Sequence, residues 1–238
     1  MKHMTHKFDK KELSGRFGTN NKLMDQLQEL ATYDTAHYFY NAEQQPEFIP
    51  SEEPETFETL DASKARCREE SFAHANVDGF VAEYGVDKGK SFLQICKHFK
   101  KDTVFGFDGF EGLPGGVWPG NIIHKGKFDY KGKLPFDPPK NGTIVPGWFS
   151  KTLPNFDYKK KVAKFIHIDC DVYTSTVDVL TNLQDMIVAG TVIVFDDYCN
   201  HTNWRQGEWL AWQQFVEKNK LRYKYLYVAG MSTALIVL

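Results

Sequence analysis

The chain lacks paired CxxC cysteines, a GxGxxG turn and any long apolar run, and each absence removes a class of function. The four cysteines, Cys67, Cys96, Cys170 and Cys199, are too scattered for a zinc site or a disulfide framework. They suit a reducing, cytoplasmic setting. No stretch approaches the roughly 18 apolar residues of a membrane span, and residues 1–11 lack the apolar core of a secretion signal. A net charge of −2 gives no electrostatic footing for nucleic acid or an anionic membrane as partner. What remains is an ordinary globular composition, and 238 residues suffice for one large α/β domain with an appendage.

Residues 1–76 read as a helical arm and residues 77–238 as the main domain. In the arm, Leu23, Leu27, Leu30 and Ala31 recur at helical spacing. A linker from Gln45 to Pro54, rich in Pro and Glu, separates that helix from a second one over 56–76. Such an arm can cap a sheet, cover a substrate or pair two subunits, so a homodimer is a possible assembly. From Val77 onward, short β-branched and aromatic runs alternate with amphipathic stretches. Strands are expected over 79–84, 103–107, 143–145, 164–168 and 191–195, with a hairpin of 222–228 and 233–238 at the end. Ser175-Thr176-Val177-Asp178 resembles a capping box, and Gly190 is placed as the stop of the helix that follows. The pattern gives an α/β fold with a doubly wound, mostly parallel sheet and an antiparallel terminal hairpin. Between strands two and three, residues 111–142 show no period. Their aromatics (Trp118, Phe128, Tyr130, Phe136) favour a lid.

Two acidic clusters close buried-type strands: Asp169-Cys170-Asp171 and Asp196-Asp197. The carboxyl ends of strands are where open α/β sheets bind ligands. If the two strands are neighbours, about 4.8 Å apart, Asp169, Asp196 and Asp197 converge. Mutual repulsion then calls for a hard divalent cation with oxygen ligands, Mg²⁺ first. Asp171 is read as a brace of its loop, His167 as a hydrogen-bonded core histidine, and His201 as a possible second base or substrate contact. Trp204, Trp209 and Trp212 are read as helix packing, and Glu208 as favouring a helix dipole.

At the other end of the sheet, Glu83-Tyr84-Gly85-Val86-Asp87-Lys88-Gly89 joins the first strand to the first helix of the domain. Gly85 and Gly89 permit a tight turn and close approach to a ligand. Asp108, about twenty residues on, stands where such folds hold ribose hydroxyls. The acidity of Glu83, Asp87 and Asp108 suits a cationic adenosine ligand, S-adenosylmethionine (SAM), better than a pyrophosphate.

Taken in order, Glu83-Tyr84-Gly85-Val86, the run from Gly106 to Pro114, the run from Gly147 to Pro154, the run from Ile168 to Thr176 and Phe195-Asp196-Asp197-Tyr198 resemble the macrocin O-methyltransferase family of class I SAM-dependent methyltransferases. The resemblance covers 77–238. It implies a seven-stranded Rossmann-like sheet, bound SAM and a Mg²⁺ that orients a substrate hydroxyl, a sugar hydroxyl of a natural product in typical members. It also implies that Glu83, Gly85 and Gly89 hold the methionine part of SAM, Asp108 the ribose, and Trp148 and Phe149 the region of the adenine. Asp169, Asp196 and Asp197 would ligate the metal, with Asp169 as general base. The lysine that catechol-type enzymes place three residues after the first metal aspartate is Val172 here. Two rival readings share the fold: an NAD-dependent oxidoreductase, weakened by the missing GxGxxG, and a non-catalytic SAM-binding protein.

Overall fold

The computed structural model describes residues 21–42, 45–50, 57–114 and 127–238, with residues 21–29 and 57–59 as backbone only. The arm contributes α1 (Asn21–Tyr40), β1 (Glu47–Phe48) and α2 (Phe57–Ser71). The main domain runs β2 (Phe80–Tyr84), α3 (Lys90–His98), β3 (Val104–Asp108), β4 (Gly142–Pro146) and a short α4 (Phe149–Thr152). It continues with β5 (Ala163–Ile168), α5 (Tyr173–Asn182), β6 (Val192–Phe195), α6 (Glu208–Asn219), β7 (Tyr223–Ala229) and β8 (Ser232–Val237).

Among the described residues these strands form one sheet in the order β1-β7-β8-β6-β5-β2-β3-β4. Every neighbouring pair is parallel except those involving β8, which runs against both β6 and β7. The expected doubly wound sheet with a terminal hairpin is therefore present. Seven strands come from the main domain; the eighth, β1, comes from the segment read as linker. Glu47 and Phe48 pair with Tyr227 and Val228, and the Ile49 N–H donates to the Val228 carbonyl at 2.9 Å. A two-residue strand carries no periodicity, so only the open edge of β7 selects it.

Strand alternation builds two cores, one on each face of the sheet. On one face Tyr84, Ile166, Ile168, Ile193 and Phe195 meet Phe39 of α1, Leu180 of α5 and Trp212 of α6. On the other, Val81, Phe165, Val192 and Val194 meet Cys67 of α2 and Phe92, Ile95 and Cys96 of α3. Trp204 and Trp212 are buried, as read from the sequence. All four cysteines are free and buried. None of the described helices is long and apolar enough to cross a membrane.

Two local expectations fail. Ser175 caps nothing: α5 begins at Tyr173, and its N-cap residue Val172 makes no side-chain cap bond. Ser175 and Thr176 are buried inside the helix, where the Thr176 hydroxyl donates back to the Val172 carbonyl at 3.1 Å. This is the back-bonding that competes with capping. The helix also ends at Asn182, well before Gly190. Gly190 instead turns the chain into β6 with φ of 89°, its N–H donating to the Val237 carbonyl at 2.9 Å.

Candidate active site

The sheet order reverses between β5 and β2, since β2 pairs with β3 on one side and β5 on the other. This switch point is where open α/β sheets leave a crevice for ligands. The turns after β2 and β5 touch there: a Cβ on Gly85 would lie 1.7 Å from the Asp169 carbonyl oxygen, and Gly85 itself has φ of 91°. Only a glycine fits that approach.

On the β2–β3 side, Asp108 gives its carboxylate to the backbone. Oδ2 accepts from the N–H groups of Val86 (2.8 Å) and Asp87 (2.9 Å), and Oδ1 from Phe110 (2.7 Å). The expected ribose acid thus also braces the glycine turn. Trp148 Nε1 donates to Glu111 at 2.9 Å, and its ring faces Gly109 at 3.7 Å from a built Cβ. Phe149 packs edge-on to Tyr84. The long segment after β3 docks here too: Tyr130 donates to Asp87, and the Phe136 ring lies against Gly89. Two of the aromatics that favoured a lid thus contact the glycine turn; Trp118 lies outside the described residues. Gly-Lys-Ser stands at 89–91, but three residues lie between Gly85 and Gly89 where a phosphate loop has four. Lys90 Nζ reaches outward to Asp61 at 2.8 Å.

Glu83 is fully buried, on the opposite face from Tyr84. His167 Nδ1 donates to its Oε1 at 2.7 Å, while Oε2 has no hydrogen-bond partner. His167 is thus the hydrogen-bonded core histidine that was expected. Its Nε2 lies 3.5 Å from Asp196 Oδ1, so the three side chains form a buried chain from the strand before the glycine turn to the acidic edge.

On the β5–β6 side the expected convergence occurs. The strands are neighbours, and one oxygen from each of Asp169, Asp196 and Asp197 lies within 4.8 Å of the others. Asp169 also groups with Glu83 and His167 within the same limit. Asp171, with φ of 64°, stays outside both groups, consistent with a brace.

The arm supplies the counter-charge, which the sequence reading missed. Lys64 Nζ lies 2.5 Å from Asp196 Oδ2 and 2.9 Å from Asp197 Oδ1, and Arg68 donates to Asp196 Oδ1 at 3.1 Å. On α2, Leu60, Ser63, Cys67, Arg68 and Ser71 are buried and Lys64 is half-buried. That is one helical stripe, with two cations set inside it. A charged residue in the buried register of a helix was the available signal. Glu208 was also under-read. At the start of α6 it is fully buried, and its carboxylate accepts from the N–H groups of Asp197 (3.1 Å) and Cys170 (3.4 Å), tying the two acidic loops together. His201 is buried, with Nε2 3.1 Å from the Asp197 carbonyl oxygen and Nδ1 3.0 Å from that of Thr202.

These surroundings push the acids apart. Burial and the neighbouring Asp196 charge raise the Asp169 carboxyl well above the usual range. Burial and Asp197 do the same for Asp171 and Glu208. At Asp196 burial opposes ionisation, but Lys64, the nearby His167 and Arg68 outweigh it and hold the carboxyl well below the usual range. Five acids crowd two cations, and the anionic forms of Asp169, Asp171 and Glu208 are the ones disfavoured. The donor set, all oxygen and in excess of its counter-charge, fits a hard divalent cation.

Comparison with known proteins agrees with the motif resemblance. The Macrocin-O-methyltransferase (TylF) family matches residues 139–234. Mycinamicin III 3''-O-methyltransferase of Micromonospora griseorubida is 34% identical over 56 residues, covering 24% of this chain and 21% of that protein. Demethyldecarbamoylnovobiocin O-methyltransferase of Streptomyces niveus is 39% identical over 55 residues, covering 23% and 20%. The matched stretch thus spans about a fifth of these relatives. Among solved structures, the calicheamicin methyltransferase CalS11 superposes with a TM-score of 0.60 at 18% identity, covering 87% of this chain and 91% of that one. Residues 139–234, from the approach to β4 into β8, carry the macrocin-O-methyltransferase family signature, on the Rossmann-like fold of the methyltransferases.

Proposed function

We propose that the protein is a SAM-dependent, Mg²⁺-assisted O-methyltransferase acting on a hydroxyl of a small molecule, a sugar of a natural product first. One observation carries the reading: three carboxylates gather at the ends of β5 and β6, directly across the switch point from a glycine turn braced by Asp108. Glycine turn and acid cluster are the two halves that methyl transfer to a hydroxyl needs, one for the donor and one for the acceptor. The family match and the names of the relatives support the same chemistry.

Gly85, Gly89 and Asp108 line the donor side, with Trp148 and Phe149 flanking the adenine end. Glu83 serves that side from beneath, through the strand it shares with the turn. Asp169, Asp196 and Asp197 are the residues that would hold the metal. When bound, SAM supplies an electrophilic methyl group, and a divalent ion would polarise and orient a hydroxyl. The protein's own part is to divide the acid roles. Asp196, held ionised by Lys64 and Arg68, contributes fixed negative charge. Asp169, whose carboxyl burial and the Asp196 charge raise above the usual carboxylate range, is suited to take up the hydroxyl proton. The segment bearing Tyr130 and Phe136 excludes water from the donor side.

The test combines SAM calorimetry with detection of S-adenosylhomocysteine over a panel of deoxysugar glycosides in Mg²⁺ buffer. Wild-type protein is expected to bind SAM and methylate at least one acceptor. Asp197→Asn is expected to keep SAM affinity within about twofold and lose at least about 100-fold in rate. Folded protein without SAM binding overturns the reading. SAM binding with no turnover in either form favours a non-catalytic SAM-binding protein.

A further inference from the structure

Lys64 stands where the acid cluster converges. Its ammonium contacts both Asp196 Oδ2 and Asp197 Oδ1, while an oxygen of Asp169 lies within 4.8 Å of one oxygen of each of these aspartates. A magnesium ion shared by those oxygens needs each of them at about 2.0–2.1 Å, inside the volume the ammonium fills. Two cations of that kind cannot share the position. Arg68 is placed differently. It bonds Asp196 Oδ1, the oxygen that also faces His167 Nε2 and the Ser232 hydroxyl (3.3 Å), so it neutralises the back of the carboxylate and leaves the front oxygen, Oδ2, to Lys64. Lys64 also has a way out. Its side chain is 14% exposed, against 6% for Arg68, and it ends a flexible four-carbon stem with no planar fork to anchor it.

Resting on the metal reading above, we propose that Lys64 is a tethered counter-cation that competes with the divalent ion for the front oxygens of Asp196 and Asp197. Metal loading then expels the ammonium and releases this part of the arm helix α2 from the acid cluster. Lys64 thereby sets the affinity of the site and couples its occupancy to the arm, through an amine supplied by an element outside the family-matched segment.

Two measurements on the full chain test this. The first is Mn²⁺ binding followed by the loss of the free-ion paramagnetic resonance signal. Lys64→Met is expected to bind Mn²⁺ at least about tenfold more tightly than wild type, and Asp197→Asn more weakly than both. The second needs no variant: brief acetylation of wild-type protein with and without Mn²⁺, read by peptide mass spectrometry, with exposed Lys90 as internal reference. Mn²⁺ is expected to raise Lys64 labelling several-fold and leave Lys90 unchanged. Aspartate-dependent Mn²⁺ binding with unchanged Lys64 labelling, or a Lys64→Met variant that binds no more tightly, overturns the competition and leaves the metal site standing. No Mn²⁺ binding by wild type or Lys64→Met overturns both.

Discussion

At the ends of β2 and β3, Asp108 is neutralised by backbone N–H groups 22, 21 and 2 residues away in sequence. At the ends of β5 and β6, Asp196 and Asp197 are neutralised by Lys64 and Arg68, separated from them by 128 to 133 residues. The first arrangement is made within one strand–helix–strand unit, β2-α3-β3. The second exists only once the arm has packed against the sheet, with Cys67 buried in the same core as Val192 and Val194. A pocket braced locally keeps its shape whatever the arm does. A pocket balanced by a distant helix has its electrostatics tied to that helix. The glycine-turn side is thus the locally braced half of the site, and the acid-cluster side the half the arm can influence.

The largest test of this contrast is Arg68→Met. Removing one of the two cations leaves the buried Asp196 with Lys64 alone, at a cost of up to about 3 kcal/mol. Chemical denaturation is expected to show that loss; a loss below about 1 kcal/mol would mean the acid cluster does not depend on the arm. Asp108→Ala removes the acceptor of three backbone N–H groups at once and is expected to cost about 2 kcal/mol, with weaker SAM binding and unchanged Mn²⁺ binding. Loss of Mn²⁺ binding in that variant would break the division into two halves.

The smallest effect belongs to the outer contact of the arm, where Arg205 pairs with Asp34 at 2.7 Å on a largely solvated surface. Solvent screening limits Asp34→Asn to less than about 1 kcal/mol. Its pH dependence has a definite sign. The Arg205 hydrogen bond lowers the Asp34 carboxyl below its ordinary value, so this contribution is present above the unfolded pKa and fades as pH falls through the folded one. The stability difference between wild type and Asp34→Asn is therefore expected to be constant near neutrality and to vanish in strong acid. A difference that grew on acidification would contradict it.

Much of the sheet edge was legible because strand ends announce themselves. Apolar runs closed by Asp169 and by Asp196-Asp197 gave two strands and their carboxyl ends, and a glycine turn followed by Asp108 gave the other two. Adjacency of β5 and β6 then brought the acids together. Helix ends were less legible. Ser175 had the right neighbours for a cap, but its burial inside α5 placed the helix start two residues earlier. The short strand β1 was invisible, since Glu47 and Phe48 pair only because the β7 edge is open beside them.

The sequence by itself determined the alternation of strands and helices, the glycine turn and the position of every acid at a strand end. Those are set by local period and by what a single residue's backbone allows. Tertiary structure alone decided which cations face those acids, that Glu83 turns inward to His167, and that Glu208 ties the two acidic loops. Charge pairing over more than a hundred residues has no local signature: a lysine on a helix face reads the same whether it meets water or a carboxylate. Only the packing of α2 onto the sheet removes the water and makes the difference.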